Sequence, residues 1–288
     1  MLFRSLVDRY GLVSLPAVSV LRALKRKVAS KGSTAFIGYG APILDGPGAG
    51  KRAVNMGSRF VLKIDEEGIN LADPDLLRTL NPLPGTEREL SAMATALKAS
   101  KRDVLLGAAA TETAVRRDAN LGKARIIAFA THGVLPREVS GIEEPGLVLT
   151  PPAAPSPSDD GLLTASEVSK LTLNADWVLL SACNTASADG TPGADSLSSL
   201  SRAFLYAGAQ ALLASHWRVS DDATAALTVE TLAGRSTGSL NRADALKAAM
   251  LAVRTGKRAD GSAVAGWNDG WAHPSAWAPF TVISNGDE

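Results

Sequence analysis

Two side chains that can do nucleophilic chemistry, Cys183 and His132, each follow an apolar run that is typical of a buried strand. Cys183 is the single cysteine of the chain and comes after the run at 177–182, and His132 comes after the run at 125–131. Ligand sites gather at the carboxyl ends of parallel strands, where neighbouring strands share one edge of the sheet. If these two strands lie side by side, thiol and imidazole meet there, as in the dyad of a cysteine protease.

The residues around this pair suit acyl transfer. A neighbouring imidazole can take the proton of a catalytic thiol and later return it to the leaving amine, so His132 is the natural base for Cys183. Gly133 lets the backbone approach a substrate carbonyl, and its N–H could form an oxyanion hole with the N–H of Cys183. The histidine precedes the cysteine by 51 residues, and caspases place their histidine about 50 residues before the cysteine.

Simpler interpretations of these side chains stay open. Cys183 alone could be a small buried apolar residue, and His132 alone a hydrogen-bonded loop histidine, but two such residues at the ends of two apolar strands favour the dyad. His216 also ends a strand and is a rival base, although Trp217 rather than glycine follows it. His273 lies in a tail rich in Trp and Pro, and we expect a structural role for it.

Composition excludes several other classes of site. With 30 Lys and Arg against 29 Asp and Glu, the net charge of +1 does not indicate nucleic acid or an anionic membrane surface. Three scattered histidines and one cysteine lack the spacing of a metal site, so no metal or other cofactor is expected. The glycine-rich stretch at 46–51 departs from the phosphate-loop pattern, because Asp45 stands where the first glycine should be and Arg52 replaces the Ser or Thr that binds magnesium.

The same composition indicates a compartment. One cysteine cannot form an intrachain disulfide, which fits a reducing cytosol, and we therefore expect a cytoplasmic protein. No apolar stretch approaches the roughly 20 residues that a membrane-spanning helix needs.

Strands and helices alternate along the chain, which predicts an α/β fold with a mainly parallel sheet and helices on both faces. Thr86 and Glu89 have the spacing of a capping box at the start of a helix, and residues 186–194 are typical of a loop over the site. The final strand resembles an edge strand. The expected strands are 34–38, 103–107, 125–130, 146–150, 177–182, 210–215 and 277–284, and the expected helices are 14–29, 86–98, 111–117, 164–170, 196–206, 221–232 and 241–253.

Several linked motifs resemble the CHAT domain, a bacterial relative of caspases and separases that is often attached to TPR helical repeats. The resemblance runs from about Tyr10 to Ile283 and is strongest over 86–283. It implies a single domain over 1–288 with the caspase-like three-layer sandwich, in which a mainly parallel central sheet is flanked by helices. The motifs lie at 128–133, 179–185, 203–209, 215–219, 272–274 and 277–280.

The resemblance also implies an activity and its site residues. It implies a cysteine endopeptidase with His132 as base and Cys183 as nucleophile, acting on a specific protein. The loops after Cys183 and Ser215 would shape the S1 pocket, so that Trp217 lines the cleft and Asp195 or Asp221 faces the substrate. The sequence Ser-Ala-Cys-Asn-Thr replaces the caspase Gln-Ala-Cys-x-Gly, so a preference for cleavage after Asp does not carry over.

The expected partners are a protein substrate and a regulatory TPR-containing domain or protein, with no nucleic acid and no membrane. The alternative function is a catalytically silent, CHAT-like module for protein interaction.

Overall fold

The computed structural model describes residues 6–15, 33–45, 63–64, 70–136, 144–181, 194–217, 219–236 and 240–284. Strands and helices are numbered along these residues. The strands are β1 (Val13–Ser14), β2 (Thr34–Gly40), β3 (Lys63–Ile64), β4 (Asn70–Leu71), β5 (Val104–Leu106), β6 (Ala124–Ala130), β7 (Gly133–Val134), β8 (Gly146–Val148), β9 (Leu162–Thr164), β10 (Trp177–Leu180), β11 (Ala211–Ser215) and β12 (Phe280–Ser284). The helices are α1 (Pro74–Arg78), α2 (Thr86–Ala96), α3 (Glu112–Arg117), α4 (Ala165–Val168), α5 (Ala194–Ala207), α6 (Asp221–Ser236) and α7 (Arg242–Thr255).

A seven-stranded sheet forms the centre of the described fold, in the order β1-β12-β11-β10-β6-β2-β5. The five strands from β11 to β5 are parallel to one another, whereas β12 is antiparallel to β11 and parallel to β1. A small antiparallel sheet, β7-β8-β9, lies along the connection between β6 and β10. The central strands β6 and β10 are therefore neighbours, with most of their residues buried.

Helices cover both faces of this sheet because its strands are apolar on both sides. Successive residues of a strand point to opposite faces, so Phe129 joins the core beneath α3, α4 and α5, while Ala128 joins the core beneath α2, α6 and α7. On the first face Phe129 stacks on Tyr39, with ring centroids 5.4 Å apart, and meets Phe204 at 5.5 Å. The result is the three-layer α/β sandwich that the sequence predicts.

Three expectations about single elements were wrong. Ser14 belongs to β1 rather than to the start of a helix, and the rest of the helix expected at 14–29 lies outside the described residues. The last strand is not at the edge, because β1 adds a further strand beyond it. Gly85 is the N-cap of α2 and makes no side-chain cap, so Thr86 and Glu89 do not form a capping box.

The reason is that both side chains of the expected capping box are used elsewhere. The Thr86 hydroxyl donates to the carbonyl of Leu83 at 2.8 Å and accepts from the N–H of Ala41 at 3.2 Å. The Glu89 side chain is turned into the protein and is only 3% exposed.

Two further observations concern membrane-spanning helices and metal sites. The described residues contain no helix long and apolar enough to cross a membrane. Over the same parts of the chain, no group of three or more His, Cys, Asp or Glu side chains is placed to hold a metal ion. The glycine-rich stretch at 46–51 and the loop at 186–193 lie outside the described residues.

Candidate active site

The pairing of β6 with β10 brings the two reactive segments to one edge of the sheet. The strands are parallel, and Phe129 is opposite Leu180 in a register that joins residues 51 positions apart in the sequence. His132 and Cys183 are separated by the same 51 residues, and each comes three positions after its member of this pair in the sequence. Cys183 itself lies outside the described residues. The last described residue after β10 is Ser181, whose N–H donates to the carbonyl of Phe129 at 3.3 Å.

His132 is held from both its backbone and its ring. Its carbonyl accepts from the N–H of Val148 at 2.9 Å, and the hydroxyl of the preceding Thr131 donates to the carbonyl of Val148. The ring nitrogen Nε2 lies 2.7 Å from the carbonyl oxygen of Asn81. A carbonyl oxygen can only accept, so Nε2 carries the proton and Nδ1 is the basic nitrogen of the neutral ring.

This contact is of the kind by which a third group orients the histidine of a nucleophile–base pair. Asn81 lies in the connection between α1 and α2, and its contribution is a backbone carbonyl. The contact fixes both the plane of the His132 ring and its tautomer. An imidazole held in this way can accept a proton at Nδ1 while Nε2–H stays in place.

Gly133 follows His132 and begins the small sheet. It is buried in β7 and pairs with Leu147 of β8. The segment after the histidine is therefore anchored on a second sheet. The oxyanion hole expected from the N–H groups of Gly133 and Cys183 remains a prediction.

The three residues expected at the substrate lie on different elements. Trp217 follows β11, is 41% exposed, and donates its indole N–H to the carbonyl of Ser275 at 3.2 Å. Asp195 lies in the first turn of α5, and its side chain is outside the described residues. Asp221 begins α6, and its carboxylate oxygen Oδ2 lies 1.6 Å from the position that a Cβ on Gly85 would take.

Asp221 therefore lies against the amino end of α2, where a negative charge is favourable for the helix dipole. This contact gives it a structural role between two helices. Its expected contact with substrate is a separate prediction.

The two other histidines differ from His132. His216 is exposed, and its backbone N–H donates to the carbonyl of Pro279 at 3.0 Å. His273 accepts at Nδ1 from the N–H of Ser275 at 3.2 Å and so caps the short helical turn that follows it. The structural role expected for His273 is confirmed.

Sequence reasoning missed one charged residue beside this edge. Glu89 is buried in α2, and burial raises the pKa of its carboxyl to about 8, with a further contribution from the negative charge of Asp221. The hydroxyl of Ser181 opposes this rise. The helical period could have revealed it, because Glu89 lies on the same face as Leu90 and Met93, which pack in the core.

A cavity of about 490 Å³ lies at the opposite, amino end of the parallel strands. It contains none of the residues that the sequence predicts for the site. Its lining comes from the starts of β2, β6 and β10 and the ends of α2 and α6.

Comparison with known proteins identifies a family and a relative. The sequence model of the CHAT domain family matches residues 3–285, nearly the whole chain. The mouse protein called tetratricopeptide repeat protein 28 is 34% identical over 124 residues, which are 43% of this chain and 4% of the mouse protein.

Proposed function

Because this chain belongs to the CHAT domain family of caspase-like peptidases, we propose that it is a cysteine endopeptidase that cleaves a specific protein with His132 and Cys183. The observation that carries the proposal is the register of β6 and β10, which places the segments leading to both residues side by side at one sheet edge. The hydrogen bond from His132 Nε2 to Asn81 supports the role of His132 as the base.

The proposed reaction follows from the chemistry of these groups. Nδ1 of His132 takes the proton of the Cys183 thiol, and the thiolate attacks the carbonyl carbon of the scissile peptide. The N–H groups of Gly133 and Cys183 hold the resulting oxyanion. His132 then gives its proton to the leaving amine, and the C–N bond breaks to leave an acyl-enzyme. Water, deprotonated by His132, hydrolyses the thioester and regenerates the thiol.

The domain, the substrate cleft, the regulation and the location of the enzyme are also part of the proposal. We take residues 1–288 as one catalytic domain, with Trp217 lining the cleft and Asp195 or Asp221 facing the substrate. The name of the mouse relative supports regulation by a TPR-containing domain or protein. The chain spans only 4% of that relative, so the relative's own activity does not transfer. A nucleophilic thiol works in a reducing compartment, and we place the enzyme in the cytoplasm.

The test is the rate at which Cys183 is alkylated as a function of pH, because every labelling event in a chain with one thiol reports on this residue. Wild type, His132→Ala and the urea-unfolded chain are compared, with His216→Ala as the matched control. We expect fast alkylation well below the free-thiol pKa of about 8.5, slowed by His132→Ala and unchanged by His216→Ala.

Equal rates in wild type and His132→Ala would overturn the dyad and favour an interaction module. A second arm uses a cognate partner protein. Cys183→Ala should abolish its cleavage while leaving its binding intact.

A further inference from the structure

Glu89 is a buried acid that the proposed reaction does not use. It lies on the face of α2 that packs against the sheet and α6, between residues of the apolar core, and is 3% exposed. A carboxyl group in such surroundings is unfavourable unless it is hydrogen-bonded, and each unsatisfied buried polar group calls for an explanation. Oε1 of Glu89 has no hydrogen-bond partner among the residues that the structure describes.

A second buried atom without a partner faces this carboxyl. Within the same described part of the chain, the hydroxyl oxygen of Ser181 is also unpaired, yet it lies close enough to Glu89 to lower the pKa of the carboxyl. The two groups are therefore neighbours, but their geometry is not that of an ordinary hydrogen bond. Ser181 follows β10 directly and stands two positions before Cys183. Glu89 therefore lies next to the first residue after β10, in the segment that leads to the proposed nucleophile.

Burial raises the pKa of the Glu89 carboxyl to about 8, so the carboxyl is mainly protonated at neutral pH, and the charges around it add to this effect. Asp221 of α6 faces it and raises its pKa, while the neighbouring Asp222 lies 3.9 Å from Arg88 of α2. The strands beneath α2 present the uncharged positions Gly38, Gly40, Ala128 and Ala130 on this face. A protonated carboxyl has an O–H to donate, and the Ser181 hydroxyl can accept it.

We propose that Glu89 is a positioning residue for the nucleophile: its carboxyl O–H donates to the Ser181 hydroxyl when the site is assembled, and this contact fixes the end of β10 ahead of Cys183. Hydrogen bonds of active sites are often long in the free enzyme and tighten in the complex with substrate. The inference rests on the proposed function for its effect on cleavage, and its effect on the thiol can be measured without cleavage.

The test is a double-mutant cycle between the two residues. Glu89→Leu and Ser181→Ala are made singly and together, and both the alkylation rate of Cys183 and the kcat for the partner protein are measured. We expect each single variant to lower kcat by about tenfold, because small misplacements of reacting groups are costly. The double variant should be no slower than the singles, because both remove the same contact.

Glu89→Gln is the conservative variant, because its amide N–H can donate to Ser181 and never ionises. It should keep the wild-type rate near neutral pH. The ratio of its alkylation rate to that of wild type should rise towards about pH 9, where ionised Glu89 faces the charge of Asp221. Glu87→Gln, an exposed change in the same helix, is the control and should leave all rates unchanged.

Strictly additive losses in the cycle, or wild-type rates in Glu89→Leu, would overturn the proposal. If Glu89→Leu fails to fold, as thermal melting would reveal, the rates of Glu89→Gln and Ser181→Ala decide. Alkylation that responds to Glu89 and Ser181 but not to His132 would leave the positioning role standing and remove the peptidase. An alkylation rate that depends on His132 but not on Glu89 would support the peptidase and overturn the positioning role.

Discussion

At the scale of single residues, the candidate site depends on backbone groups more than on side chains. The group that holds the His132 ring is the backbone carbonyl of Asn81, and any residue at that position presents the same oxygen. Substitution of Asn81 by alanine therefore leaves the tautomer of His132 unchanged. What matters is the path of the chain between α1 and α2, and Gly85 lies on this path.

Gly85→Ala should destabilise the fold. The backbone of Gly85 is in an ordinary helical region, with φ −86°, so the effect comes from space: a Cβ would lie 1.6 Å from Oδ2 of Asp221. Forcing these helices apart should lower the free energy of unfolding by about 1–3 kcal/mol in urea titrations. Asp221→Gly removes the three nearest atoms, including the Asp221 Cβ that lies 2.5 Å from this position, so adding Gly85→Ala to that variant should cost much less. Equal costs in both backgrounds would contradict the explanation.

At the scale of elements, a polar network holds the segment at 151–161, which is rich in Pro, Ser and Asp. Arg116 of α3 donates to the carbonyl oxygens of Pro157 and Ser158, each at 3.3 Å, and pairs with Glu112 at 2.9 Å. Glu112 in turn accepts from the N–H of Asp160 at 2.9 Å. Polar contacts from α3, together with those from Arg78 of α1, hold a segment that is too polar to pack in a core.

Arg116→Ala should release this segment. Without the guanidinium that binds the two carbonyl oxygens, residues 151–161 should be cut faster by a nonspecific protease under native conditions, at an early site that mass spectrometry can locate. Arg117→Ala is the matched control, since its side chain is exposed on the same helix. Equal cutting of the two variants would mean that the network does not restrain the segment.

The central elements could be predicted because their signals are local. Trp177–Leu180 is a short, continuous apolar run, a pattern that favours a buried strand. Placing two such strands side by side predicted that the segments leading to His132 and Cys183 are neighbours. β1 could not be predicted, because two residues carry no pattern and their pairing with β12 joins distant parts of the chain. Glu89 was misread because one spacing fits both a capping box and a buried helix face.

At the scale of the whole molecule, buried acids make stability depend on pH. Burial raises the pKa of Glu89 to about 8 and that of Asp160 to about 6. The folded chain thus keeps protons that the unfolded chain releases. The stability that these protons provide is complete at low pH and is lost as pH rises through the folded-state values.

The free energy of unfolding should therefore fall as pH rises from about 4.5 to about 8, with Glu89 contributing a slope of at most about 1.4 kcal/mol per pH unit. Glu89→Gln carries no proton to lose and should flatten the dependence, measured by urea titration at several pH values. Glu87→Gln should keep the wild-type slope. Identical slopes in Glu89→Gln and wild type would show that Glu89 ionises normally in the folded chain.

The pairing of β1 with β12, in which Val13 is opposite Val282, has a consequence for protein engineering. The first and last described strands are neighbours, so a flexible linker could join the two ends of the chain and new ends could be opened elsewhere. An opening between the exposed Ala153 and Ala154 would yield a circular permutant in which the cysteine precedes the histidine. Because the register of β6 and β10 aligns the strands that lead to the two residues, the permutant would reverse their order along the chain and leave this pairing of the strands unchanged.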